Sequence, residues 1–371
     1  MRVEAVELRT IRLPLVAPFR TGGGSLTERP LVTVRVLTTE GEGWGECAAL
    51  PEPTYTAEHV TGARAVLRDH LVPRLVGVDL DGPESVAECL RAVVGHPMAT
   101  AALELAVLDA HLGAVGASLA RALGGTATTV PSGVAVGLFD DVSRLVDTVA
   151  AFVEQGYRRV KLKVEPGWDT KPVAAVRERW PDLALQVDAN GAYAGGDAGA
   201  LDGLDHLGLL LIEQPLATDD LLGHAALARV LRTPICLDES ISSDATLAVA
   251  LALGSCSVVN LKAGRVGGYL AARRLAEQCQ SAGVAVWCGG MIESGIGRAA
   301  NLALASHPAF TLAGDLSASR RFFARDVVTE PAVLNTDGTI DVPAGPGLGV
   351  TIDAASLAAV TESVELVAAG D

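Results

Sequence analysis

The sequence predicts an α/β protein: a modified TIM barrel of (β/α)7β type with an α+β capping domain built from the N-terminus and the C-terminal tail. Three features predict it. The first 125 residues read as strands followed by helices; from Pro131 short apolar runs alternate with Ala- and Leu-rich helical segments; and charged residues close five successive runs at the interval of one βα unit. The expected division is 1–125 for the cap, 126–318 for the barrel and 319–371 for a segment that returns to the cap.

In order, Val3–Pro14, Leu31–Thr39 and Gly43–Ala48 suit an antiparallel meander that turns at Thr39-Glu40-Gly41-Glu42. Ala57–Leu71 and Met98–Val115 carry apolar residues at helical spacing, with Gly124-Gly125 as the stop. Barrel strands are expected at Gly133–Leu138, Arg159–Val164, Ala184–Ala189, Leu209–Gln214, Pro234–Glu239, Val258–Ala263, Val284–Cys288 and Thr311–Gly314. Eight such runs favour a closed barrel over an open sheet. Beyond Ser317, Pro331, Pro343 and Pro346 punctuate a stretch with no further βα unit, which should run back over the first domain.

Composition narrows the function. A chain of 371 residues, 49% of them hydrophobic, holds enough apolar material for two or three domains. A net charge of -15 repels phosphate backbones and anionic lipid, so no nucleic acid and no membrane partner is expected. Apolar stretches such as Ala245–Gly254 fall short of the ~20 residues a bilayer requires. Cys47, Cys89, Cys236, Cys256, Cys279 and Cys288 show neither CxxC pairing nor zinc spacing, and MRVEAVELRT lacks the apolar core of a signal peptide. A reduced, cytoplasmic protein with packing cysteines is the expectation, and a homo-oligomer is the default because closed symmetric assemblies are common. Arg occurs 25 times and Lys only at 161, 163, 171 and 262. A lysine that persists against this bias points to chemistry, because a desolvated ammonium can release its proton near neutral pH and a guanidinium cannot.

Lys163, Asp188, Glu213, Asp238 and Lys262 are separated by 25, 25, 25 and 24 residues, each at the carboxyl end of an apolar run. A barrel would deliver all five to one rim, the rim where such folds keep their chemistry. One charged residue at a strand end is commonly just the first solvated position, but five in register are not. Three carboxylates converging without cationic partners raise one another's pKa unless a cation lies between them. All-oxygen ligation suits Mg²⁺, or Mn²⁺, better than zinc, and none of the seven histidines stands at a strand end. Flanking lysines could then remove and return a proton next to a carboxylate.

The motifs Lys161-Leu162-Lys163, Asp188-Ala189-Asn190-Gly191, Glu213-Gln214-Pro215, Asp238-Glu239-Ser240 and Asn260-Leu261-Lys262 resemble the enolase superfamily, specifically its muconate-lactonizing subgroup, over the whole chain. The resemblance implies Mg²⁺ held by Asp188, Glu213 and Asp238, with Lys163 and Lys262 as the acid/base pair and Lys161 as an electrostatic support near the substrate carboxylate. Residues 262–268 (KAGRVGG), 289–298 (GGMIESGIGR), 314–319 (GDLSAS) and 43–47 (GWGEC) look like the o-succinylbenzoate synthase and N-succinylamino acid racemase family. That family implies syn dehydration to o-succinylbenzoate, a step of menaquinone synthesis, alone or beside racemisation of N-succinylamino acids. A small carboxylate is the implied substrate. Dipeptide epimerases of the superfamily carry a DxD motif after the last barrel strand, where this chain has Asp315 alone. Muconate cycloisomerase is a further alternative within the subgroup. Outside it stand a Schiff-base aldolase, which needs a barrel lysine but no metal, and a non-catalytic barrel.

Around this core lie expected substrate-binding or supporting residues. Arg20 sits in a Gly-rich stretch of Val16–Leu31, which reads either as a loop that, as the resemblance implies, closes over substrate or as a long, mobile hairpin loop. Tyr55 faces either the barrel mouth or the cap interior. Arg265 either lowers the pKa of Lys262 by like-charge proximity or pairs with a loop carboxylate. Gly289 and Gly290 leave room for a bulky ligand beside Met291 and Ile292, and Asn190 and Glu239 support the metal ligands.

Overall fold

Residues 1–21, 24–194 and 198–368 are described by the computed structural model. Its strands are β1 (Val3–Thr21), β2 (Gly24–Thr38), β3 (Gly41–Cys47), β4 (Thr129–Pro131), β5 (Gly133–Val136), β6 (Arg159–Lys163), β7 (Ala184–Asp188), β8 (Ile212–Glu213), β9 (Ile235–Leu237), β10 (Val258–Leu261), β11 (Ala285–Cys288), β12 (Thr339–Asp341) and β13 (Thr361–Ala368). In the cap, β1, β2 and β3 form the expected meander, and β13 adds antiparallel to the free edge of β1. Inward residues of these strands, Val6, Leu8, Val32, Val34 and Val36, are fully buried. They form one apolar cluster with residues of helix Pro97–Val115, which covers them. That helix packs backbone against strand: a Cβ on Gly45 would lie 2.0 Å from the Ala102 carbonyl oxygen, and one on Gly43 2.2 Å from that of Ala106.

Strands β5 to β11 form a parallel sheet in sequential order, each beside its predecessor. The run expected as an eighth strand closes the barrel through single parallel bridges, Ser132 with Gly314 and Val286 with Phe310, rather than as a continuous strand. Apolar residues fill the layers between sheet and helices, so the chemistry is left to the strand ends. Inside the barrel Trp287 is fully buried, with Arg159 and Lys161 at 5.3 and 4.9 Å from its ring centroid.

Several expectations are corrected. Val16–Leu31 is not a loop but the far arms of the β1–β2 hairpin, whose register shifts between Pro14 and Phe19; Gly22 and Gly23 lie outside the described residues. The long cap helix stops at Gly116, left-handed at φ 68°, and the Gly124-Gly125 pair instead follows a separate turn at Leu119–Ala122. Pro97–Val115 is also long and apolar enough to cross a bilayer by length and composition, but 67% of its most apolar window is buried inside the protein, as a core helix must be. In the C-terminal segment the Phe322 carbonyl accepts from the Val16 N–H of β1 at 2.8 Å, β12 then pairs with β4 beside the barrel, and β13 joins the cap sheet.

Candidate active site

The ladder forms as the backbone register requires. Lys163 on β6 pairs with Asp188 on β7, and Asp188 with Glu213 on β8. Asp238 and Lys262 follow directly after β9 and β10. Two residues just past ladder positions, Asn190 (φ 45°) and Gln214 (φ 38°), adopt left-handed backbone conformations, as does Ile292 (φ 58°) in the loop after β11. For a β-branched residue such as Ile292 this is strained, and strain of this kind persists where the surroundings over-determine it, commonly at functional sites.

The carboxylates do not converge without cations, as the sequence led us to expect. Lys161 Nζ lies 3.0 Å from Asp188, 2.9 Å from Glu213 and 2.6 Å from Asp315; Lys163 Nζ lies 2.7 Å from Asp188, and Lys262 Nζ 2.8 Å from Asp238. Arg265 pairs with Asp238 itself rather than with a loop carboxylate. Among the described residues no three acidic, His or Cys side chains are grouped closely enough to hold a metal ion as they stand. The charge balance is nevertheless uneven. Burial pushes the Glu213 carboxyl up to about 8, helped by the charges of Asp188, Asp238 and Asp315 and opposed by Lys161. Asp188 and Asp238 sit below the usual carboxylate range despite burial, because Lys161 and Lys163 hold the first and Arg265 and Lys262 the second. A row of three oxygen-bearing acids, one of them poorly compensated, fits a hard divalent cation by donor chemistry. Asn260 Nδ2 donates to Glu213 Oε1 at 2.7 Å and orients it.

Each lysine of the expected acid/base pair has its own support. Lys163 donates to Asn190 Oδ1, and Asn190 Nδ2 donates in turn to Glu239 Oε1 at 2.7 Å. Burial pushes the Glu239 carboxyl up to about 7, with Asp238 and Asp188 adding to the effect. Lys262 Nζ lies 4.3 Å from the ring centroid of Tyr55 and donates to its hydroxyl at 2.9 Å. That hydroxyl also accepts from Arg265 at 2.6 Å and lies 3.2 Å from Asp238. Tyr55 therefore comes from the cap to face the barrel. Burial and Arg265 push the Lys262 ammonium down, but Asp238 and Tyr55 outweigh them and its pKa ends raised; the expected lowering by Arg265 is thus only a partial effect.

A cavity of about 500 Å³ opens over this rim, lined by Lys161, Lys163, Asp188, Asn190, Glu239, Lys262, Tyr55, Gly290, Met291 and Ile292. Its volume suits a small organic ligand. Glu213 and Asp238, fully buried, lie behind that lining. Phe19, Leu26, Leu138 and Phe322 make the outer wall apolar. Arg20 does not reach the cavity: its guanidinium pairs with Asp140 at 2.8 Å on the protein surface. Gly289 leaves room not for a ligand but for the lysine, since a Cβ there would lie 2.7 Å from Lys262 Cε. Sequence reasoning did not single out Asp315 as a site residue. It lines the cavity and pairs with Arg159 at 2.5 Å as well as with Lys161, and its sequence signals are its place just after the eighth run and within the 314–319 motif. Gln214 was also missed as a support; its Oε1 accepts from the Asp238 N–H at 3.0 Å and ties two strand ends together.

The chain is similar to known proteins over nearly its whole length. Residues 5–124 match the family described as mandelate racemase / muconate lactonizing enzyme, N-terminal domain, and residues 144–356 that described as enolase C-terminal domain-like. A protein of Amycolatopsis named N-succinylamino acid racemase is 54% identical, over 94% of this chain and 95% of its own. One from Enterococcus faecalis named o-succinylbenzoate synthase is 44% identical, over 96% and 97%. The crystal structure of an enolase superfamily member from Listeria innocua superposes with a TM-score of 0.95 at 42% identity, covering 99% of both chains.

Proposed function

This chain belongs to the mandelate racemase / muconate lactonizing enzyme family of the enolase superfamily, and on that premise we propose that it forms enolates from small carboxylates, as an o-succinylbenzoate synthase that also racemises N-succinylamino acids. Enzymes of this family generally depend on a divalent metal. Asp188, Glu213 and Asp238 would hold Mg²⁺ here, and the ion would supply a positive charge against the anion created when the α-carbon loses its proton.

The observation that carries the reading is the position of Lys163 and Lys262, at the two ends of a row of three acid-bearing strands and both at one cavity. For racemisation, one lysine takes the α-proton while the other, from the far end of the row, returns one. For syn dehydration one lysine serves twice, removing the proton and then protonating the departing hydroxide, while the other balances charge. Lys161, held by three carboxylates, keeps a fixed ammonium in the cavity wall for the substrate carboxylate. The apolar outer wall accepts the rest of the molecule and excludes water. A dipeptide epimerase is disfavoured, because Asp315 already carries Lys161 and Arg159 and leaves little charge for a substrate ammonium.

Turnover of the dehydration substrate and of an N-succinylamino acid, measured side by side with Mg²⁺ present and chelated, tests the reading. Both should proceed with Mg²⁺ and stop on chelation. Turnover of neither substrate, or turnover indifferent to chelation, would refute it.

A further inference from the structure

Arg29 stands on β2, far in sequence from the ladder, and is fully buried. Its guanidinium donates to four backbone carbonyls: Pro30 (2.8 Å), Ala48 (2.5 Å) and Ala49 (2.7 Å) in the cap, and Met291 (3.1 Å) in the loop after β11. Placing this cation in the interior is costly. Burial pushes its pKa down, and the charges of Glu46, Glu293 and Cys47 pull the other way. Apart from Pro30 on its own strand, the bonded carbonyls belong to the two segments that bring cap and barrel residues to the same cavity. One runs on from Ala49 to Leu50, Thr54 and Tyr55; the other supplies Gly290, Met291 and the strained Ile292. Met291 is held on both sides, since its N–H donates to Glu293 Oε1 at 2.8 Å. Its side chain completes the apolar cluster of the cap, against which Leu50 and Tyr55 also pack.

We propose that Arg29 is a positioning residue which fastens the cap segment carrying Tyr55 to the barrel loop carrying Met291, and thereby holds Lys262, but not Lys163, in working geometry. The asymmetry follows from the contacts. Tyr55 touches Lys262 and the two residues that pair with one another beside it, Arg265 and Asp238, whereas Lys163 is held by Asp188 and Asn190, both on the barrel. Loosening the fastening therefore displaces Lys262 directly and reaches Lys163 only through the shared carboxylate row.

The inference rests on the two-lysine reading above, and its test separates the two. Exchange of the α-hydrogen in D₂O is followed for each enantiomer of an N-succinylamino acid, with Mg²⁺ present, in the parent protein and in Arg29→Lys, Tyr55→Phe, Lys163→Ala and Lys262→Ala. The lysine variants identify which enantiomer each lysine serves. Arg29→Lys should slow exchange of the Lys262 enantiomer about tenfold more than that of the other, as a displacement of that one ammonium would. Tyr55→Phe should show the same bias, and the double variant should lose little beyond the larger single effect. Equal losses for both enantiomers, or none, overturn the role of Arg29 and leave the two-lysine reading standing. Unchanged exchange in both lysine variants overturns both. If Arg29→Lys gives no folded protein, Glu293→Ala frees the Met291 N–H from the other side and carries the same expectation and the same refutation.

Discussion

At the scale of single residues, the proposed chemistry rests on the two lysines at the ends of the carboxylate row, with the residues around them setting their geometry. Lys163→Ala or Lys262→Ala should lower racemisation by about 10²–10⁴-fold, the usual contribution of one proton-transferring group, as read by polarimetry. Dehydration should fall that far with one of the two only. Asp315→Ala should cost stability, because it strips a charge from Lys161 and Arg159 while both stay buried. Leaving a buried cation short of its partner costs about 3–5 kcal/mol, which a urea titration would register. The ladder itself was legible in the sequence because a parallel sheet turns a constant interval into a shared rim. Asp315 and Arg265 were harder to place. Asp315 meets Lys161, which lies 154 positions earlier in the chain, and Arg265 turns to the ladder carboxylate Asp238 instead of a loop acid. Nothing local in the sequence encodes either contact.

Secondary-structure elements show where periodicity suffices and where it fails. The barrel strands fall within the apolar runs expected for them, since a strand covered on both faces must be apolar throughout. The β1–β2 hairpin was misread beyond Pro14 because Pro14, Pro18, Pro30 and three successive glycines interrupt the alternation, while pairing resumes past the register shift at Phe19 with Leu26. The end of helix Pro97–Val115 was misplaced because Gly116 and Gly124 are both plausible stops and only tertiary packing selects between them. Gly43 and Gly45 offered no signal apart from their motif, yet helix and strand approach there to backbone contact. Gly45→Ala should lower stability by about 1–3 kcal/mol through overpacking, since the obstructing atom is a backbone carbonyl that cannot swing aside. Thermal unfolding of the variant against the parent measures it.

For the molecule as a whole, the cap is fastened to the barrel by buried carboxyl groups that no sequence pattern announced, because their partners are backbone N–H groups of another domain. Glu46 accepts from the Ser294 N–H at 3.1 Å and Glu104 from that of Tyr269, each at the start of a barrel helix. Burial pushes both carboxyls up to about 7 from an ordinary 4.5. The folded state therefore retains protons that the unfolded chain releases between about 4.5 and about 7. The stability these groups contribute is complete below the lower value and is lost as pH rises through the upper one. Glu104→Gln should flatten that part of the stability profile, an effect on the order of 1–3 kcal/mol in urea titrations at pH 5 and pH 8. Above this framework stands the claim that a divalent cation over Asp188, Glu213 and Asp238 lets two lysines exchange the α-proton of a carboxylate. Deuterium incorporation from D₂O into both enantiomers of an N-succinylamino acid, with Mg²⁺ supplied, chelated and restored, reads that claim most directly. Incorporation into both that stops on chelation and returns with Mg²⁺ is the predicted result; incorporation that continues undiminished without the cation would contradict it.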